Sequence, residues 1–188
     1  MTDAIFTSVE QALFVAYLME SLPVTQKSQM QVLIERAMEE AGIAQKRERG
    51  TINFSGLTPL EIRGQCAMIR GAVEHGLPHP ERDAVLAKYG FQLVKAAGVR
   101  GIRNYTMALL TVNAEETALA MAWGVFGTTV QRKDFTPTKI AGHFDLPLRT
   151  IQRDMQRIRD TGRILHQRAV DRLGVRLAGA VGQQLAVA

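Results

Sequence analysis

The sequence contains one cysteine, few aromatics and no long apolar run, and each scarcity removes a class of protein. A single thiol, Cys66, rules out an intramolecular disulfide framework, which fits a reducing compartment. Aromatic residues make up only 6% of a chain that is 46% apolar. The core must therefore be built from Ala, Leu, Val and Met, a palette that suits helix on helix better than a β-sandwich. No segment approaches the roughly 18 consecutive apolar residues needed to cross a bilayer. The opening MTDAIFTSVEQALFVAYLM mixes acidic and polar residues with apolar ones and has no basic leader. The expectation is a soluble cytoplasmic protein, in a bacterial or phage-infected cell, with no membrane partner.

Chemistry is equally sparse. The four histidines, His75, His79, His143 and His166, have no metal-ligand spacing with cysteine or acidic residues, and Pro78 and Pro80 interrupt any helix face shared by His75 and His79. No phosphate-cradling Walker loop, nucleophile motif or triad is present. The stretch Gly98-Val99-Arg100-Gly101 has the outline of a small phosphate-binding turn, but without flanking strands it reads more simply as an interhelical turn. Glu39-Glu40 and Glu115-Glu116 sit where helix ends favour or tolerate acids. Cys66 and Trp123 read as core residues. No enzyme, no cofactor and no metal are expected.

What the chain does have is an uneven charge. Residues 131–188 hold 11 Lys/Arg against 5 Asp/Glu, whereas residues 1–130 hold 12 against 13. The net charge of +5 thus comes entirely from the C-terminal third, the footprint of a polyanionic partner or of a solvated helix face.

Helical periodicity and caps divide the chain as follows. Apolar spacing predicts a helix over 3–20; Thr25 or Ser28 opens a second, ending near Ala41 at Gly42. These form an N-terminal helical hairpin, 1–43, followed by a linker, 44–57. Within that linker, Lys46, Arg47 and Arg49 read as a solvated loop sooner than as a phosphate contact. A middle helical region, 58–112, starts at the capping box Thr58–Glu61 with Pro59 at the first helical position. It runs to about Glu74, with a stop at Gly76. Another helix begins near Pro80 and stops at Gly90. Next come a break at AAGVRGIRNY and a short apolar helix, Tyr105–Leu110. Asn113 is expected to cap a helix ending at Gly127, TTVQRKDF to be a loop, and 177–188 to be a frayed tail.

The remaining segment, 113–176, carries the functional reading. Residues 136–158 read TPTKIAGHFDLPLRTIQRDMQRI. Thr136 can cap a short helix beginning at Pro137, with Ile140, Ala141 and Phe144 on its inner face. Asp145 suits a tight connection, and Pro147 marks the start of a second helix. Leu148, Ile151, Met155 and Ile158 follow at three-to-four spacing as its buried stripe. Arg149, Thr150, Gln152, Arg153, Gln156 and Arg157 cover the other faces. This is the composition of a recognition helix. Arginine pairs with guanine and glutamine with adenine in the major groove, while Thr150 and the flanking arginines suit phosphates, and Lys139 is a further expected DNA contact. Asp154 either pairs with Arg153 or Arg157 or accepts from a cytosine amino group.

RTIQRD at 149–154, with Ile158 after it, resembles the recognition helix of DeoR-type repressors. KIAGHFDLPLRTI at 139–151 is similar to the helix-turn-helix of sigma factor region 4. The resemblance covers about 25 residues and implies DNA contacts at Arg149, Thr150, Gln152 and Arg153, and core roles for Ile140, Ala141, Phe144 and Ile151. DeoR-type proteins follow this helix with a β-wing. Here Ile164, Leu165, Ala169 and Leu173 have near-helical spacing, so a wingless, tri-helical arrangement is expected. That arrangement looks like sigma region 4 and the phage late-gene antiterminators of the Q type. The expectation is an all-α protein whose helical N-terminal part precedes a C-terminal helix-turn-helix. Its expected partner is double-stranded DNA, with RNA polymerase and a second copy of the chain as further candidates. The competing reading is a helical protein–protein interaction module without nucleic acid. An RNA-binding role ranks below both, for want of aromatic stacking residues.

Overall fold

A computed structural model describes residues 5–22, 27–40, 54 and 56–178. The architecture is all-helical, with no strand among the described residues. By internal contacts the chain divides into two units, Met1–Leu77 together with Val170–Ala188, and Pro78–Ala169. These boundaries fall elsewhere than the sequence-based ones. Residues 58–77 belong with the N-terminal helices, and the chain re-enters the first unit after Ala169. The expected linker, 44–57, lies outside the described residues apart from Phe54 and the Gly56–Leu57 pair. The expected tail lies outside them beyond Ala178.

In the first unit, α1 (Val9–Ser21) starts six residues later than periodicity predicts, because Ser8 caps it by accepting a hydrogen bond from the Gln11 N–H. Every residue from Gln11 to Met19 is buried, so this helix is enclosed on all sides. Its last carbonyls are satisfied from α3 (Pro59–Gly76). Arg70 donates to the Ala16 carbonyl, and Arg63 to those of Met19 and Leu22. The capping box at the start of α3 forms as expected. The Glu61 carboxylate accepts from the Thr58 N–H, and this bond holds Glu61 below its ordinary pKa. Ile62, Cys66, Ile69 and Val73 are the buried stripe of α3. Burial pushes the Cys66 thiol up to about 11, which keeps it protonated and unreactive. Between these helices in the chain runs α2 (Lys27–Glu40), which buries Ile34 and Met38.

The second unit opens with α4 (His79–Tyr89) and α5 (Gln92–Thr106). The expected break at Gly98–Gly101 does not occur, and there is no phosphate-binding turn there. Both glycines lie within α5, and the short helix expected at Tyr105–Leu110 is only a 3-10 turn, Met107–Leu109. Gly98 marks a close approach of helices: a Cβ there would collide with the backbone of Leu86 and Ala87 in α4. Gly98→Ala is therefore expected to destabilise the protein by about 1–3 kcal/mol through overpacking, read as a lower urea midpoint with an unchanged slope. The reverse outcome, a midpoint raised by the better helix former, would mean that α4 and α5 do not meet at Gly98.

α5 also supplies a buried cation. The Lys95 ammonium donates to the Ala87 and Lys88 carbonyls at the end of α4. Burial, with Arg132 adding to it, lowers its pKa from the ordinary 10.5 to about 8. The unfolded chain thus binds more protons between these values, so stability should rise as pH climbs from 8 towards 10.5 and be lost again on the way down. A displacement of this size corresponds to on the order of 3 kcal/mol. The check is urea unfolding across that window, with Lys95→Met losing this component of the slope.

α6 (Glu115–Phe126) begins after Ala114, without a side-chain cap, and ends at Gly127 as expected; Asn113 is not its cap. The segment expected to be a loop instead contains α7 (Thr129–Arg132). A Thr128–Gln131 capping box stabilises this single turn. Then follow α8 (Pro137–His143) and α9 (Leu148–Arg176). α9 runs unbroken through Gly162, where the Phe126 ring packs so closely that a Cβ would displace it. Among the described residues no strand follows α9. Ala84, Ala87, Ala118, Ala122 and Ala141 line the core of this unit with Met121, Ile151 and Ile158, and these small side chains permit tight helix crossings.

Candidate nucleic-acid interface

Residues 136–158 form two helices joined by a short turn, and local chemistry accounts for each boundary. The Thr136 hydroxyl accepts from the Lys139 N–H, and Pro137 occupies the first turn of α8. α8 ends at Phe144, and Asp145 adopts φ 51°, the left-handed conformation that a helix stop requires. The Leu146 N–H then reaches back to the Ala141 carbonyl at 3.0 Å, while the Leu146 side chain packs against the core of the unit. The pairing of a left-handed residue with this long backward bond is the Schellman arrangement, with aspartate where glycine is more usual. Pro147 comes next, and its carbonyl accepts from the Thr150 and Ile151 N–H groups as α9 begins.

α9 sits on the core through Ile151, Met155, Ile158 and Leu165. Leu148, expected on this stripe, is 41% exposed and does not belong to it. On the opposite side, Arg149, Gln152, Arg153 and Gln156 are all exposed. At 3.6 residues per turn they fall within an arc of about 100°. Arg149, Gln152 and Arg153 make no hydrogen bond or ion pair to any described residue. Gln156 exchanges surface bonds within its own helix, donating to Asp160 at 3.0 Å and accepting from Arg159 at 2.6 Å. Thr150 is half-buried beside them. Lys139 projects from α8 and pairs with Asp134 at 3.3 Å, both side chains being well exposed.

Two residues behave differently from the rest of the helix. Asp154 has no solvent exposure at all. Its carboxylate accepts from the Thr111 N–H at 2.8 Å and the Val112 N–H at 2.9 Å, ahead of α6, and from the Arg157 guanidinium at 3.0 Å. It cannot also receive a cytosine amino group, so that part of the expectation fails and the pairing with Arg157 holds. Arg157 in turn donates to the Leu109 carbonyl and the Thr111 hydroxyl. Its guanidinium therefore fastens α9 to the segment before α6. A sequence signal for this was present. Asp154 falls between Ile151, Met155 and Ile158 on the inner face of the helix, where an acid must find internal donors.

The electrostatic setting is one-sided. Residues 78–169 carry 14 Lys/Arg against 8 Asp/Glu, a net of +6, whereas the residues of the first unit carry 9 against 10. A helix face that carries Arg149, Gln152 and Arg153 without a described partner, on a unit of that charge, can bind an anion along its length and hydrogen-bond planar acceptors and donors. No family model matches the sequence, and no curated protein matches it.

Proposed function

We propose that this chain is a sequence-specific DNA-binding transcription regulator that inserts the first turns of α9 into the major groove. The observation that carries the reading is the set of three exposed side chains without a partner among the described residues, Arg149, Gln152 and Arg153, on the face of α9 opposite its buried stripe. Further along this helix Arg163 pairs with Asp160, at 3.4 Å. In the proposed roles, Arg149 and Arg153 read guanine, and Gln152 and Gln156 read adenine. Lys139 and Thr150 hold phosphates. Arg157 supports the reading helix and does not read bases.

The reading is tested by selection from a pool of random-sequence duplexes. The expected result is enrichment of one short motif by the wild-type chain, and relaxation of that motif at single positions for Arg149→Ala. Uniform weak retention of every duplex, with no enriched sequence, would refute it. The resemblance to late-gene antiterminators makes RNA polymerase a partner to include in the same assays.

A further inference from the structure

Beside α8 the second unit contains a cavity of about 600 Å³, bounded by α6, the Asp134–Phe135 segment and α8. Trp123, Phe135 and Phe144 contribute aromatic walls. The volume lies in the range of roughly 300–1,000 Å³ typical of small-molecule sites, which combine apolar walls with a few polar groups. No residue of α9 lines the cavity, and of the proposed DNA contacts only the phosphate-binding Lys139 borders it.

The polar groups at the cavity select the ligand's charge. Asp134 and Lys139 pair with each other and offset one another. The His143 ring packs edge-on against Phe144, with centroids 4.7 Å apart. That leaves Glu116, which is exposed on α6 and makes no hydrogen bond or ion pair to any described residue. The lining therefore carries a surplus negative charge within a unit whose net charge is +6. Aromatic faces attract cations through their quadrupoles, and a free carboxylate adds to that attraction. An anionic ligand meets neither.

We infer that this cavity binds a small organic cation, with its apolar body against Trp123, Phe135 and Phe144 and its ammonium or amidinium group at Glu116. The site does not depend on the DNA-binding reading, and each can fail without the other.

Trp123 is the sole tryptophan and lines the cavity, so a ligand bound there should change the fluorescence of a single known residue. The full chain is titrated with 2-phenylethylamine, 2-phenylethanol and 3-phenylpropanoate, which share one aromatic body and differ in charge. The titrations run into the ~10 mM range expected for fragments of this size. The expected result is saturable binding of the amine, about tenfold tighter than the carboxylate. Glu116→Gln, a change at an exposed position, should remove most of that preference and leave the alcohol unaffected. Any of four results would overturn the inference. These are no response to the three compounds, equal affinities, preference for the carboxylate, or a signal that follows protein concentration because a second copy covers the cavity.

Discussion

Asp154→Ala is expected to lower stability by about 3–5 kcal/mol. The carboxylate is wholly buried and serves three donors at once, two of them backbone N–H groups at 2.8 and 2.9 Å. Alanine would leave the Thr111 and Val112 N–H groups without their acceptor, each costing up to about 1–3 kcal/mol. It would also release Arg157, whose guanidinium ties α9 to the Leu109–Thr111 segment. Asp154→Asn keeps the shape but turns one acceptor into a donor facing a donor, so it should recover only part of the loss. Arg157→Ala should cost less than either, about 1 kcal/mol, because its side chain is already 42% exposed. Urea midpoints order the three variants. An Asp154→Ala midpoint within about 0.5 kcal/mol of wild type would show that the carboxylate is not the fastener described above.

The second large effect lies on the other side of the same helix. Arg149→Ala and Arg153→Ala should each weaken binding to the selected duplex by about 1–3 kcal/mol if each reads a base, with no comparable loss of stability. Their guanidinium groups bond to nothing within the described fold, so truncation removes no internal contact. The pairing of the two experiments is informative. Asp154→Ala should act on unfolding, and the two arginine variants on DNA affinity alone. Lys139→Ala, as a phosphate contact, should weaken all duplexes alike and reduce the salt slope by about 1.

Much of the local structure was legible because caps and turns are written in adjacent residues. Thr58–Glu61 announced α3, and Thr136-Pro137 announced α8. Asp145 and Pro147 announced the turn, whose left-handed residue the structure places at Asp145. The Thr128–Gln131 box has the same grammar as Thr58–Glu61, and the loop assigned to 128–135 overlooked it. The break expected around Gly98 has a physical explanation. A glycine in a helical pattern can be a stop or a close approach, and only the neighbouring helix decides. Gly98 meets α4, and α5 runs straight through it. The return of residues beyond Ala169 to the first unit depends on contacts between distant parts of the chain, which no local pattern records. Within the candidate interface, the exposed face of α9 could be read from periodicity. The reassignment of Asp154 and Arg157 required knowing that the segment before α6 offers two bare N–H groups beneath them. Lys95 was hidden for a similar reason, since its carbonyl partners belong to the preceding helix.

The most direct test of DNA reading by α9 is an anisotropy titration of wild type and Arg149→Ala/Arg153→Ala with the selected duplex and a scrambled one, repeated across salt concentrations. Wild type should prefer the selected duplex by at least about a thousandfold, with affinity falling steeply as salt rises. The double variant should remain folded and lose most of that preference, by about 2–6 kcal/mol for two independent base contacts. Equal affinity of the folded double variant and wild type for the selected duplex would contradict the assignment of α9 as the reading helix.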